Sequence, residues 1–587
     1  MMNEDQVEDI IQRWRTTPEE DLKPEDFKQF QTFGSACLTE GKSIQLLQFL
    51  QDEKNQGMVR SMGCVLMAPL VNEAVKKDKS LDHCQVAITH LIKTCSPDEL
   101  LQSMLDLTEN MDAGAISESI LMLVPHLQTV LLCLEETKAA GVGLALSALQ
   151  KQLSRLPVPY SRQQEEADEF GLCRCCHALT AFTKPFIQEV VRKSGNHCRT
   201  AEDEELRREL LEFCMRSLRD LLLEAKLSRD SPSPLRIFAT EIMVTLMELQ
   251  ESISELVFFS SHKKSRSKES TACLAYLLFV QRITIENFPA VFSPVFVLES
   301  NMEHVDHLLR SKKESYLLKG LALYGKSLES VQNNSLPVSH LELRSVCSAA
   351  QNLRQVLTDC PMKHLRESAL QVFQLFIHKL DVEAKHKFFR CMLKTSNHAG
   401  IEGFIMKNIK NQVEFSMQPG NTSQWFIGEE LLSLLRLVLC LPQAADTDLL
   451  GSMDRIMESL NLLRYLLLRG VRSPTDVWEE MTRIKDEYLK MLRVSIGISR
   501  AYYSAELKAL WEDQKLKARE ARDAAQSTRL VKSIKVKHEK VSSMSPEAKH
   551  QVLQSALVTF DLMESLIVRI EEITNEKQNI PNYTKAA

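Results

Sequence analysis

The chain has 587 residues, 44% hydrophobic and 26% charged, with a formal net charge of -6. So small a charge over this length supplies no global field to draw it onto nucleic acid or anionic lipid, and any such contact has to be local. With 18 glycines and 19 prolines, it falls well below the ~12% usual for globular chains, which favours helices over turn-rich β structure.

The opening residues, MMNEDQVEDIIQRW, are acidic and lack the basic-then-apolar layout of a secretory signal. No signal peptide is expected, and the expected location is the cytoplasm, with the nucleus as a further one. The fifteen cysteines are then reduced thiols in helical cores, and the N-x-S/T matches at Asn333, Asn421 and Asn582 never meet the glycosylation machinery. From Glu99 to about Ile573 the sequence is a succession of amphipathic helical patterns. They run at 99–110, 116–135, 139–153, 171–191, 202–225, 235–256 and 272–283, then at 317–331, 341–358, 363–380, 399–415, 428–440 and 447–469, with more beyond. Short connections carry Pro, Gly, Asn or Ser, as in Ser96-Pro97-Asp98, Ser231-Pro232-Ser233-Pro234 and Gln418-Pro419-Gly420. The longest apolar stretch, 120–134, contains Pro125, His126 and Gln128 and is shorter than the ~20 residues of a membrane span, so no membrane insertion is expected.

The stretch 447–470 shows the pattern well. Leu449, Met453, Ile456, Leu460, Leu463 and Leu467 form one apolar stripe, with Asp454, Arg455, Glu458 and Asn461 off it. Asp446 or Thr447 is the expected cap, Arg464 and Arg469 lie near the carbonyl end, and Gly470 is the expected closing residue.

No repeat of fixed length recurs, so the predicted fold is all-α, an irregular HEAT-like helical-repeat solenoid in two stacks of paired antiparallel helices. The expected order is an N-terminal stack (1–259), a basic seam loop (260–270), a C-terminal stack (271–511), a charged flexible insertion (512–545), a final docking helix (546–577) and a disordered tail (578–587). The seam rests on the run HKKSRSK at 262–268, the insertion on charge-rich, Ala-rich composition ending in KSIKVKHEK. In the final helix, Ser545 and Pro546 suit the start, and Leu553, Ala556, Phe560, Met563, Ile567 and Ile570 form the stripe.

Candidate chemistry is sparse. In GLCRCCH, 171–177, Cys173 and Cys176 have the C-x-x-C spacing of a zinc site, with Cys175, His177, His197 and Cys198 nearby. Against zinc, Leu172, Cys175, Leu179, Phe182 and Phe186 form a helical stripe on which cysteine serves as a small hydrophobe, so no metal is expected. Gly141-Val142-Gly143 follows no strand and lacks the rest of a nucleotide loop. No catalytic signature is present, and the expectation is a non-enzyme without cofactors. HKKSRSK has the composition of a nuclear import signal or phosphate-binding patch, though a solvated loop is the simpler reading, and its serines suit phosphorylation. His398, in Ser396-Asn397-His398-Ala399-Gly400, reads as a turn or cap residue.

Several strings together resemble the glomulin family: LPVPYS (156–161), GLCRCCHAL (171–179), FTKPF (182–186), LAYLLFVQ (274–281), TSNHAG (395–400), NIKNQ (408–412), TDLL (447–450), DRIMESLNLLRYL (454–466) and SALVTFDLMES (555–565). Their order along most of the chain carries the likeness. The resemblance implies a HEAT-like protein whose C-terminal half binds the RING subunit of cullin-RING ubiquitin ligases and masks the docking surface of the ubiquitin-conjugating enzyme. It further implies links to an immunophilin, to a growth-factor receptor tyrosine kinase and to vascular smooth-muscle development. The strings NIKNQ and DRIMESLNLLRYL nominate Asn408, Lys410, Asn411, Arg455, Glu458, Arg464 and Tyr465 as partner-facing positions, against the simpler reading of solvated or intrahelical pairing. An adaptor or assembly scaffold on the same solenoid is the alternative.

Overall fold

The computed structural model describes residues 4–76, 80–194, 200–227, 232–249, 251–258, 267–287, 292–421, 424–469, 475–526 and 546–578. Among these, regular structure is helical, and the only β feature is an isolated bridge between Leu336 and Leu380. Most sequence patterns find a helix: Pro97–Glu109, Ile116–Cys133, Lys138–Leu153, Leu172–Ser194, Ala201–Ser217, Glu314–Glu329 and Ala399–Ser416 each begin or end within a few residues of expectation. Their stripes are buried because an amphipathic helix is held mainly by packing its apolar face.

The helices before Glu99, from Glu4–Thr16 to Leu81–Thr94, lie ahead of the patterns read from the sequence, and past that point two long helices escaped them. Pro294–Leu309 buries Asn301 and His304 on its core face, and Val382–Thr395 buries Lys385 and His386 on its own. These polar residues break an apolar period, yet each has a partner: Asn301 donates to the Ser327 hydroxyl at 3.1 Å, Lys385 donates to the Asn334 carboxamide oxygen, and Nε2 of His304 and of His386 lies 3.0 and 3.1 Å from the Val257 and Glu430 carbonyls.

Neighbours in sequence pack antiparallel. Helices Pro294–Leu309 and Glu314–Glu329 meet through Asn301 and Ser327 near one end and through Gly320 against Leu308 near the other. Parallel pairs occur as well: Cys175 Sγ reaches the Ser117 carbonyl at 3.6 Å while Gln128 donates to the Phe182 carbonyl at 2.8 Å, so Ile116–Cys133 and Leu172–Ser194 run the same way. Alternate helices of a repeat stack are related in this manner.

Internal packing divides the chain into two units, Met1–Val331 with Arg344–Phe376, and Gln332–Leu343 with Ile377–Ala587. This corrects the expected seam at 260–270. Residues 259–266 lie outside the described set, but the helices on either side, Ile253–Phe258 and Lys268–Phe279, share one unit. Phe258 stacks on Phe279 at 6.1 Å, and the Ser270 hydroxyl donates to the Met215 carbonyl at 2.7 Å, so packing is continuous across the run. In the second unit, residues 332–343 are tied to the segment 377–381 by Asp381 N–H to Leu336 O at 2.8 Å and by the Lys379 ammonium to Asn333 at 2.8 Å.

Of the charged stretch 512–545, residues through Gln526 continue helix Thr475–Gln526, and 527–545 lie outside the described residues, as do Gly470, Ser545 and 579–587. Among the described residues, three helical stretches, Glu53–Val75, Ile116–Cys133 and Glu547–Glu576, are long and apolar enough to cross a membrane on length and composition alone. Here Ile120, Leu123, Leu127 and Leu131 of the second are core residues, and Pro125 stands inside that helix without ending it.

Candidate partner-binding surface

Helix Ala399–Ser416 begins where His398 turns its ring back on the chain and Nδ1 accepts the Ile401 amide at 3.4 Å, the cap role read from the sequence. Helix Met453–Arg469 starts later than the stripe from Leu449 implied. The Asp448 carboxylate accepts the Leu450 and Gly451 amides at 3.1 Å each, which turns the chain before the helix, so Asp446 and Thr447 do not cap it. Leu449 is buried in that turn, and Met453 at the helix start is 38% exposed.

The two helices run parallel and close. A Cβ added to Gly403 would stand 3.0 Å from the Asp454 carbonyl oxygen, so glycine permits the approach at one end, while Lys410 meets Tyr465 near the other. Between them lies a buried ion pair. Arg455 donates to Glu402 and, from its second terminal nitrogen, to the Leu437 and Cys440 carbonyls at 2.9 and 3.3 Å, closing the end of helix Gly428–Val438. A fourth helix, Thr475–Gln526, is tied in by the Ser459 and Tyr488 hydroxyls, 2.6 Å apart and both buried. These contacts pin the outer faces in register.

On the outer face the half-buried Tyr465 ring sits between two cations, Lys410 Nζ at 5.3 Å and the Arg469 guanidinium at 5.8 Å from its centroid. Arg469 also pairs with Glu414 at 4.0 Å. Burial and the Glu414 carboxylate push the Tyr465 phenol up, with Arg469 opposing. Phe415, 39% exposed, and Leu468, 52% exposed, supply apolar area beside the cluster. An aromatic held by two cations among exposed apolar groups is the composition that anchors protein interfaces.

The sequence nominations divide here. Lys410 and Tyr465 come together, Asn411 and Arg464 are exposed, and Glu458 is half-buried. Asn408 and Arg455, nominated as partner-facing, are buried and do not lie on the outer face. Asn408 lies on the core side of its helix and donates to the Phe404 carbonyl at 3.0 Å, and Arg455 is drawn inward by Glu402. Glu414 and Arg469 complete the cluster and were not nominated. The signal was present, since 410 with 414 and 465 with 469 are i, i+4 pairs on their helices.

The cysteine cluster is part of the first unit's core. Cys173, Cys175 and Cys176 are buried on helix Leu172–Ser194, His177 is exposed, and His197 and Cys198 lie outside the described residues. Cys173 Sγ points to the Glu165 carbonyl at 3.7 Å and Cys175 Sγ to that of Ser117, so the thiols diverge. Burial pushes the thiols of Cys173 and Cys175 up to about 12, and Cys176 well above the usual range. Among the described residues no group of three or more His, Cys, Asp or Glu is placed to hold a metal ion. Gly141 and Gly143 lie inside helix Lys138–Leu153, against Leu101 and Leu131 and against Glu209, where they allow close helix approach.

Fold and surface together define an all-α helical-repeat protein. Residues 1–556 match the profile of a protein family described as uncharacterised protein family, YAP/Alf4/glomulin, and the chain belongs to that family. It is 41% identical to Glomulin of Homo sapiens over 595 aligned residues, and 40% identical to Glomulin of Mus musculus over 594, each alignment covering 98% of both chains. A solved circular tandem repeat protein with novel repeat topology covers 94% of this chain and 91% of its own at 12% identity, with a TM-score of 0.14, too low to bear on the fold.

Proposed function

We propose that this protein is a non-enzymatic regulator that binds the RING subunit of cullin-RING ubiquitin ligases through its C-terminal unit and masks the docking surface of the ubiquitin-conjugating enzyme. The supporting observation is the Lys410–Tyr465–Arg469 cluster on a pinned helix pair, in a chain collinear with glomulin over 98% of its length. A RING domain is small and exposed, so its inhibition calls for a broad, rigid, shape-matched surface and no reactive group, and a helical stack supplies one. The site of action is the cytoplasm.

The test is titration calorimetry of the full-length chain against a purified cullin-RING core. Saturable one-to-one binding, lost on Tyr465→Ala with Arg469→Glu while the thermal melt is retained, supports this reading. No heat and no co-elution with the RING subunit would overturn it.

A further inference from the structure

Helix Thr475–Gln526 is 52 residues long; it packs on helix Gly428–Val438, with Arg436 to Glu480 at 3.0 Å, and along helix Pro546–Gln578, with Tyr503 against Phe560 at 5.5 Å and Arg500 to Asp561 at 2.6 Å, and one of its sides is left uncovered by both. On that side Met491, Val494, Ile498, Tyr502 and Leu516 are 40, 48, 51, 62 and 55% exposed. At about 100° per residue they fall within an arc of roughly 90°, with exposed Ala505 and Ala509 filling the gap before Leu516. The stripe spans about 38 Å at ~1.5 Å per residue. Its core-facing residues, Tyr488, Leu492 and Ile496, are on another side and buried.

The border of the stripe is charged. Lys490, Lys508 and Lys515 follow one edge, exposed, and no described residue forms an ion pair with any of them. Glu512 is the one carboxylate within the stripe between Met491 and Leu516. The chain's own segment 527–545, containing KSIKVKHEK, has the same sign as the lysine edge and is disfavoured as its cover. Two copies packed antiparallel through this face would set lysine edge against lysine edge.

We propose that this face is a docking site for a partner protein's amphipathic helix that carries carboxylates along one border of its apolar stripe. The alanines admit the partner's large apolar side chains as knobs into holes, and the lysines pair with the carboxylates and set orientation. The face lies on a helix other than the two that carry Lys410 and Tyr465, so it is a second surface.

Full-length protein is titrated, by fluorescence anisotropy, into two labelled synthetic helices with leucine at heptad a and d positions, one flanked by glutamates and the other by lysines. The expected result is saturable, salt-sensitive binding of the glutamate helix and at least ten-fold weaker binding of the lysine helix. Ile498→Asp abolishes binding, and K490E with K508E and K515E reverses the preference, with unchanged circular dichroism melts in both variants. Equal binding of the two helices, or indifference to Ile498→Asp, overturns the proposal. So does sedimentation showing a dimer that Ile498→Asp dissolves, which would place a second copy on the face. Binding of phosphatidylserine vesicles without binding of the glutamate helix would assign the face to lipid.

Discussion

Arg455 neutralises Glu402 at a site where both side chains are nearly excluded from solvent, and the same guanidinium closes the carbonyl end of a neighbouring helix. A buried pair of this kind adds modestly to stability while intact, but removing one partner strands the other charge. We expect Arg455→Met to destabilise the C-terminal unit by about 3–5 kcal/mol, and Arg455→Met with Glu402→Leu to cost clearly less. Urea unfolding, with hydrogen exchange read in helices 399–416 and 453–469, measures both. Equal losses would mean that the pair is incidental to how the helices are pinned.

Lys319 gives a pH signature. Its side chain is buried, donates to the Ala225 carbonyl at 2.7 Å and lies 5.3 Å from the Tyr276 ring centre, and burial lowers its pKa to about 8. In the unfolded chain a lysine titrates near ~10.4, so between pH 8 and 10 the unfolded state holds a proton that the folded state has released. Lys319 therefore contributes rising stability through that window and a penalty below it. Buried thiols, whose pKa values are raised, work in the opposite direction, so the quantity to measure is the difference between wild type and Lys319→Met. Relative to the variant, wild type should gain about 2 kcal/mol from pH 8 to 10. A constant difference would deny the titration.

The cysteine stripe predicts selective reactivity. With thiols at about 12, Cys173 and Cys175 should resist iodoacetamide at pH 8 in the folded protein, while exposed Cys133, Cys347 and Cys391 are alkylated. Peptide mass spectrometry reads the pattern. Cys175→Asp should cost about 3 kcal/mol or more, because Cys175 is fully buried on the core stripe and a carboxylate there would lose its hydration. Stoichiometric zinc in protein purified under reducing conditions, lost with Cys173 and Cys176, would contradict the core reading.

Much of the fold was legible because the core stripes are clean. Leu553, Ala556, Phe560, Met563, Ile567 and Ile570 are all buried as their spacing implied, and so are Leu172, Cys175, Leu179, Phe182 and Phe186. What was not legible turns on polar groups paired with distant partners. Arg455 looks like a surface residue until Glu402, 53 positions earlier, is brought beside it, and Asn301 and Lys385 look like breaks in a stripe until Ser327 and Asn334 receive them. The unit boundary was missed for a similar reason: a basic run resembles a seam, yet Phe258, Ser270 and Met215 pack across it. Of the surface, Lys410 and Tyr465 could be nominated from sequence, whereas their meeting depends on two parallel helices whose register no local pattern encodes.

The most direct test of the account is competition in a reconstituted ligase. Ubiquitin chain formation by a cullin-RING ligase is measured at fixed full-length protein while the conjugating enzyme is raised. If free inhibitor stands at ~100 times its dissociation constant, the apparent affinity of the conjugating enzyme should fall about a hundredfold, equivalent to ~2.7 kcal/mol. Output should recover as conjugating enzyme saturates, Tyr465→Ala with Arg469→Glu should relieve inhibition, and a ligase with an unrelated RING should be spared. Inhibition that persists unchanged at saturating conjugating enzyme would contradict direct masking of the RING surface.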